Sequence, residues 1–569
     1  MKNLSFLIFI LGLTLGGCLW SCSDETIGSD RTGVVLPHII YNDSTRINQV
    51  IITLYSHLPY GFNRLDGTSM VASATDEAVH AVSGSEAQSW GEGSWDATAI
   101  RDNTFSWCYQ GIRRTLVFEE ELYPYIPNIV LSERGRKQLL AQAYFIRAYC
   151  NAELLKRFGG YPLVKHVLSV DEDLNIPRNT YDECVDYIVG LCDEAAQDLP
   201  LSYPDSWLGR ATKGAALALK ARVLLYAASP LFNDQAKPNN DLEHGAYNTD
   251  KWEKAAQAAA EVINLKNGAN NVYALFAQYD AFFNTLAGNN EIIISRLQTQ
   301  TNDNNLERQN GPSGYTGGEG GTCPTWEMAS AYGMIDGTPF DWNNPAHAAD
   351  PFAGRDPRFE KSILYNGAPW MHGRTIETYE GGMDKVGDRA TPTSFYLRKF
   401  LSASAQWNNP TGTAIHHFPL IRYGEILLDY AEAMNEAYGP DDAQSYGMTA
   451  REAVRWIRAR AGLTGNTDLS GSVPAADKTA MREAIRHERR IELAFEEHRH
   501  LDVRRWKIAE TVLNRPVSGL SIEKNGDSYT CTPQPNVQNR VFDASKMYLY
   551  PFPQTEIGRN KNLVQNTNW

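Results

Sequence analysis

A chain of 569 residues with 43% apolar side chains is long enough for a large core, built as one big domain or several smaller ones. A formal net charge of −14 argues against nucleic acid, whose partners carry basic stripes. Beyond an apolar N-terminal run, no segment reaches the ~20 apolar residues of a spanning helix, so the expectation is a soluble body held at a membrane only by its N-terminus.

Lys2 and the apolar stretch Leu4–Gly17 have the layout of a cleaved export signal, too short for a comfortable span. LGGC (Leu15–Cys18) and LWSC (Leu19–Cys22) each place a small residue before a cysteine, similar to a bacterial lipoprotein box. The acidic Ser23–Glu25 resembles a lipoprotein surface-export signal, which favours Cys22 over Cys18 as the acylated residue. Acyl chains anchor firmly, at ~0.8 kcal/mol per buried CH₂. Residues 1–21 are then a signal peptide and 22–40 a flexible tether. Cys108, Cys150, Cys184, Cys192, Cys323 and Cys531 form no CxxC pair, so neither a disulfide framework nor a zinc site is expected.

Helical periodicity runs through Thr45–Leu58, with Ser44 or Thr45 as cap, and Arg136–Gly160, which stops at Gly159-Gly160. Thr180–Pro200 starts on a threonine cap and an acidic turn. Gly209–Ser229 is rich in alanine and pairs with Trp252–Leu265. Arg422–Tyr438 pairs with Thr449–Leu463, and one long helix is expected over Asp477–Trp506. Consecutive pairs with small facing residues predict a mainly α fold, a tetratricopeptide-like array of helical hairpins. Three stretches break the pattern: 69–103, 268–410 and 517–569. Irregular segments of this length are usually functional.

These residues also carry a family resemblance. ATDEAV (Ala74–Val79), QAYFIRAYCNAELLKRFGGYPLV (Gln142–Val164) and GRATKGAALALKARVLLYAA (Gly209–Ala228) resemble motifs of the SusD/RagB family of outer-membrane nutrient-binding lipoproteins. DPRF (Asp356–Phe359), FPLIRYGEILLDYAEAMNE (Phe418–Glu436), VRWIRARAGL (Val454–Leu463), ERRIELAFEEHRHLDVRRW (Glu488–Trp506) and the ending Tyr548–Trp569 follow in family order. Tyr423-Gly424 departs from the more usual Leu-Ala. The resemblance implies a single SusD-like α-α superhelix over residues 41–569. It implies capture of a glycan, or in some members a peptide, as the lid of a SusC-type TonB-dependent transporter. It implies no catalysis and no cofactor.

Sugars stack their C–H faces on aromatic rings and hydrogen-bond through their hydroxyls. Trp90 and Trp95, with Asp96, Arg101 and Asn103, supply one such arm. Asn304, Asn305, Arg308, Tyr315 and Trp326 supply a second. In the family, ligand is gripped by aromatics from an N-terminal loop and a mid-chain loop, and these stretches fall at corresponding places. The expected ligand contacts are Trp90, Trp95, Tyr315, Trp326, Asp76, Arg101, Asn103 and Asn304. Trp95→Ala is expected to abolish much of the binding without unfolding the protein. Trp107, Trp252, Trp456 and Trp506 follow helical patterns and are expected in the core.

Other motifs read as structural. HERRI (His487–Ile491) fails the HExxH pattern, because position 491 is Ile. Charges of both signs across His487–Trp506 predict a salt-bridged helix in which Glu488, Arg489, Glu492 and Arg499 tie the core together. Arg147, Arg222 and Arg458 sit in apolar helices and each needs a buried partner. Asp336, Asp341, Asp350 and Asp356 do not match an EF-hand loop. A helical glycoside hydrolase remains the competing class. It needs two carboxylates ~5–9.5 Å apart across the scissile bond, and no local motif marks such a pair. A plain protein-interaction scaffold is the third reading, against which the aromatic loops argue.

Overall fold

The computed structural model describes residues 42–236, 240–297, 305–405 and 414–569. The export signal, Cys18, Cys22 and the whole tether lie outside them, as do Asn304 and Trp407.

In chain order the elements that frame the molecule begin with α1 (Ser44–Tyr55), β1 (Ala78–Val79), α2 (Glu86–Gly91) and α3 (Phe105–Val117). The scaffold helices α4 (Glu133–Phe158), α5 (Tyr181–Asp198), α6 (Lys213–Ala228) and α7 (Asp250–Ile263) follow. Next come β2 (Ile292–Leu297), β3 (Cys323–Pro324), β4 (His417–Arg422), α8 (Tyr423–Tyr438), α9 (Ala450–Ala461), α10 (Lys478–Glu492) and α11 (Arg499–Arg505). A ribbon of β5 (Val517–Asn525) and β6 (Ser528–Gln538) precedes the C-terminal segment.

Helices α3 to α7 each pack on the next, and α7 packs directly on α8, which carries α9 and α10. The long segment between α7 and α8 therefore leaves the array and returns to it, through the antiparallel pairing of β2 with β4. Local sequence explains the helix ends. Thr180 and Glu183 form a capping box on α5, and Thr449 and Glu452 form one on α9. Gly159 (φ 74°) ends α4, and Gly462 (φ 90°) ends α9 in the left-handed conformation. Ala215, Ala216 and Ala218 on α6 and Ala255, Ala256 and Ala259 on α7 are buried, so small side chains fill the space where these packed helices meet. Buried residues from α1 to the C-terminal segment join one hydrophobic cluster.

The expected long helix over 477–506 is broken. It stops at Glu492 and resumes at Arg499, with Phe495 (φ 64°) and Glu497 (φ 63°) left-handed between. Distant partners fix the break. Glu496 accepts hydrogen bonds from Arg422 Nε (2.7 Å) and Lys399 Nζ (2.6 Å), which turns the chain out of helical register. The segment 517–569, expected to be irregular, opens with the β5–β6 hairpin around Gly526 (φ 64°).

Ion pairs run through the core as the charge pattern predicts. Glu488 joins Arg358 (2.5 Å) to Arg458 (3.0 Å), and Arg489 joins Asp429 (2.5 Å) to Asp502 (2.7 Å). Arg422 links Glu291, Glu492 and Glu496. Arg222 pairs with Glu425 at 2.7 Å, and Arg147 with Glu119 at 2.5 Å. The six described cysteines are free thiols, five of them buried. Asp336, Asp341, Asp350 and Asp356 each accept the backbone N–H two residues on, so these carboxylates close local turns.

Candidate functional site

Two loop segments far apart in sequence are fastened together. Ala78 and Val79 of β1 pair antiparallel with Pro324 and Cys323 of β3. Met70 N donates to Thr322 Oγ1 (3.0 Å), Gln309 Nε2 to the Gly67 carbonyl (3.1 Å), and Asn63 Nδ2 to Gln309 Oε1 (2.6 Å). Gly321 lies so close to Thr68 that a Cβ would stand 1.9 Å from the Thr68 carbonyl oxygen. A third segment joins through Tyr396. Its hydroxyl donates to the Asp384 carbonyl (2.7 Å) and accepts from Thr391 N (2.9 Å) and Ser313 N (3.3 Å).

The loops converge on an open polar face. Tyr315 donates its hydroxyl to the Met371 carbonyl (3.1 Å), and the Arg374 guanidinium lies 4.0 Å from its ring centroid. Arg374 also donates to the Gly314 carbonyl (2.9 Å) and pairs with the buried carboxylate of Asp384. Beside it, Glu319 accepts from Arg308 and from Arg389 (2.6 Å), whose side chain is 48% exposed. Val82, Met383 and Val386 are exposed at the same loops. The ribbon attaches here as well. Glu380 N donates to the Ile522 carbonyl (2.8 Å), and the rings of Tyr379 and the exposed Tyr529 lie 5.7 Å apart. Guanidinium forks, hydroxyls and a tyrosine edge are what a polyhydroxylated ligand uses.

Residues 289–569 match the model of the SusD family, and residues 30–225 match a family model described as starch-binding, associating with the outer membrane. The chain belongs to the SusD/RagB family. SusD-like protein P2 of Formosa agariphila is 26% identical over 431 residues, 75% of this chain and 73% of that protein. A solved SusD-like protein of Bacteroides fragilis is 27% identical at a TM-score of 0.75, covering 93% of this chain and 98% of its own. A second Bacteroides fragilis structure, described as a SusD-like carbohydrate-binding protein, shares the fold. It is 24% identical with a TM-score of 0.74, covering 92% of this chain and 100% of its own. The helical-hairpin scaffold read from sequence is therefore this family's fold.

Within this SusD-family fold, the two arms expected from sequence do meet, but their side chains are distributed differently. Trp90 (4% exposed) and Trp95 (5%) are core residues, not exposed platforms. Trp90 packs 5.7 Å from His500 and 6.3 Å from Tyr550, and Trp95 packs 4.7 Å from Trp569 and 5.2 Å from Tyr550. Trp326 is buried among Phe340, Trp342 and Phe395. Tyr315 is buried too, yet it stays at the loop face beneath Arg374. Asp76 is buried in ion pairs with Arg490 (2.8 Å) and Arg499 (2.9 Å). Arg101 lies 3.8 Å from Glu86 at the surface. Asn103 accepts from Phe105 N (3.1 Å) at the start of α3 and lines a cleft of about 220 Å³ with Tyr60 and Trp107. Of the helical tryptophans, Trp506 is buried, whereas Trp456 is 40% exposed. An irregular loop lacks backbone pairing to hold it down, so its large rings serve as its attachment. Sequence reading passed over Arg374, Arg389, Glu319, Tyr379 and Tyr529. The one signal nearby was the glycine-rich run Gly317–Gly321, which marks close backbone approach.

Proposed function

We propose that this chain is a cell-surface lipoprotein, anchored through Cys22, that captures oligosaccharide and passes it to a SusC-type TonB-dependent outer-membrane transporter without chemical change. The observation that carries this reading is the joining of the N-terminal and mid-chain loops into one face, on which Arg389 and Tyr529 reach solvent beside Arg374 and Glu319. The family description as starch-binding and outer-membrane-associated supports it, as does the carbohydrate-binding relative of the same fold. The carboxylates at the face support binding over hydrolysis. Asp384 is paired with Arg374, and Glu319 with Arg308 and Arg389, so each is held by guanidinium rather than poised as the acid or base of a glycosidase pair.

Affinity is expected to be modest, with Kd roughly 10⁻⁵–10⁻³ M, about −7 to −4 kcal/mol. An open face with a few hydrogen bonds loses much of its gross interaction energy to desolvation and ordering. A weak grip suits a protein that hands its cargo on.

The test is a binding screen of the purified unlipidated protein against plant and host glycans, with product analysis on each hit. Saturable binding with intact ligand supports capture. Cleaved product lost on mutating a loop carboxylate overturns it. Absence of any sugar binding shifts the cargo to peptide. Cys22→Ala is expected to release the protein from the membrane, and continued anchoring would assign Cys18.

A further inference from the structure

A cleft of about 330 Å³ opens between the segment Leu201–Thr212, which leads into α6, and the residues around β2. It shares no lining residue with the loop face. Its size falls at the lower end of small-ligand sites, ~300–1,000 Å³. One wall carries Trp207, which is 39% exposed, on a single helical turn Asp205–Trp207. The Arg210 guanidinium lies 3.9 Å from the Trp207 ring centroid. Arg210 is itself held, through Nη1, by Asn48 Oδ1 (3.3 Å) on α1 and Gln142 Oε1 (3.4 Å) on α4. The indole is thus braced on a side chain tied to two scaffold helices.

Tyr203 stands next to it, with ring centroids 6.0 Å apart and planes inclined by 30°. Its hydroxyl is buried and has no hydrogen-bond partner among the described residues. Burial pushes this phenol up to about 12, so it stays protonated and able to donate. Deeper in, the Tyr273 and Thr212 hydroxyls satisfy each other at 3.0 Å. A buried hydroxyl left unpaired costs about 1–3 kcal/mol, and a braced ring left open to solvent forgoes burial. Both debts are removed by a ligand with an apolar face and hydroxyls around its rim. A phosphate would find only one guanidinium, already engaged with Trp207, and the Asp205 carboxylate nearby.

We propose that this cleft is a second carbohydrate-binding site, in which a pyranose ring stacks on Trp207 and pairs a hydroxyl with Tyr203 Oη. The site rests on the glycan-capture reading for its ligand class. A polymer long enough to reach both places would be held by two weak contacts, which raises its effective affinity without tightening either.

The test uses the mature lipidated protein in detergent micelles, labelled with 5-fluorotryptophan at the twelve tryptophans that remain once residues 1–21, with Trp20, are removed. The ¹⁹F resonance missing from Trp207→Phe identifies position 207. Maltohexaose, laminarihexaose, xylohexaose and mannohexaose are titrated separately to millimolar concentration, with calorimetry in parallel. The expected result is a saturable shift of the Trp207 resonance with at least one of them. It should persist in Arg389→Ala and need about tenfold more sugar in Tyr203→Phe, whose thermal midpoint rises because the unpaired buried hydroxyl is gone. Calorimetric binding with the Trp207 resonance unmoved overturns the second site and leaves capture at the loop face standing. A shift that disappears in Arg389→Ala overturns it too, since the change then comes from the loop face. No binding of any of the four overturns the second site, and the wider glycan screen decides the capture reading separately.

Discussion

Arg499 grips Asp76 with both ends of its guanidinium, Nε to Oδ1 and Nη2 to Oδ2, each at 2.9 Å. The contact joins the start of the N-terminal loop to α11, more than four hundred residues later. Burial alone would raise the Asp76 carboxyl, but the Arg490 and Arg499 guanidiniums beside it hold it well below the usual carboxylate range. Removing one partner leaves buried charge uncompensated, which costs about 3–5 kcal/mol. Asp76→Asn is therefore expected to lower the denaturation midpoint strongly while the folded fraction binds glycan as before. Weakened binding with an unchanged midpoint would return Asp76 to the ligand site.

Trp95 makes a parallel case. Its ring fills space between Tyr550 and Trp569. Truncating a buried tryptophan typically costs about 3–5 kcal/mol. Trp95→Ala is expected to melt early, with unchanged glycan affinity when measured in the cold. A stable variant that no longer binds would overturn the core assignment.

Glu77 sets a pH dependence whose sign follows from its surroundings. Burial, and then the neighbouring Asp76 charge, push its carboxyl from an ordinary 4.5 up to about 8, against the pull of Arg499 and Arg490. Folding therefore takes up a proton between these values. The contribution is full below the ordinary value and is lost as pH rises through about 8. His498 and His500 act on the other side. Burial first, then nearby cations, push both well below 6.5, so their contribution is lost as pH falls below that value. Stability is expected to peak between these limbs. Glu77→Gln is expected to flatten the decline that begins above about pH 6.5, where the histidine contribution is complete, and ends near pH 8, read as denaturation midpoints across the range. An unaltered alkaline limb would show that Glu77 is ionised in the fold.

What could be read from sequence was what short-range chemistry decides. Thr180 with Glu183, Thr449 with Glu452, and Gly159 mark helix ends through contacts within a turn. The break after Glu492 was illegible because Arg422 and Lys399 impose it from far along the chain. The hairpin at Gly526 had a local turn signal, but β6 is exposed on both faces and lacks the alternation that identifies a strand. At the candidate site, the two arms could be located because glycine and aromatic clusters mark them. Which way each ring points was settled by packing. Trp90 and Trp326 turn inward, while arginines with no motif around them, Arg374 and Arg389, line the face.

Gly321 gives a backbone test of the arm junction. Any side chain there must displace the Thr68 carbonyl, only 1.9 Å from the Cβ position. Gly321→Ala is expected to push the two loops apart, lowering both the midpoint and glycan affinity. Gly190, in α5, has open space at its Cβ position. Gly190→Ala is expected to stabilise by about 0.5–1 kcal/mol through helix propensity, with binding intact. Equal behaviour of the two variants would remove the junction from the argument.

Arg389 separates recognition from folding. Its side chain is half exposed, and Glu319 keeps Arg308 as a second partner, so the loss of this surface pair costs about 0–1 kcal/mol. Arg374 instead neutralises the buried Asp384 and covers Tyr315. Arg374→Ala is thus expected to lower both stability and binding, because Asp384 is left buried and unpaired. Arg389→Ala is expected to leave the thermal midpoint in place and weaken glycan binding about tenfold, ~1.4 kcal/mol. Arg389→Lys keeps the charge but loses the fork, and should recover only part of that affinity. If Arg389→Ala binds as tightly as the parent, this face is not where the glycan sits, and the cleft at Trp207 becomes the primary site.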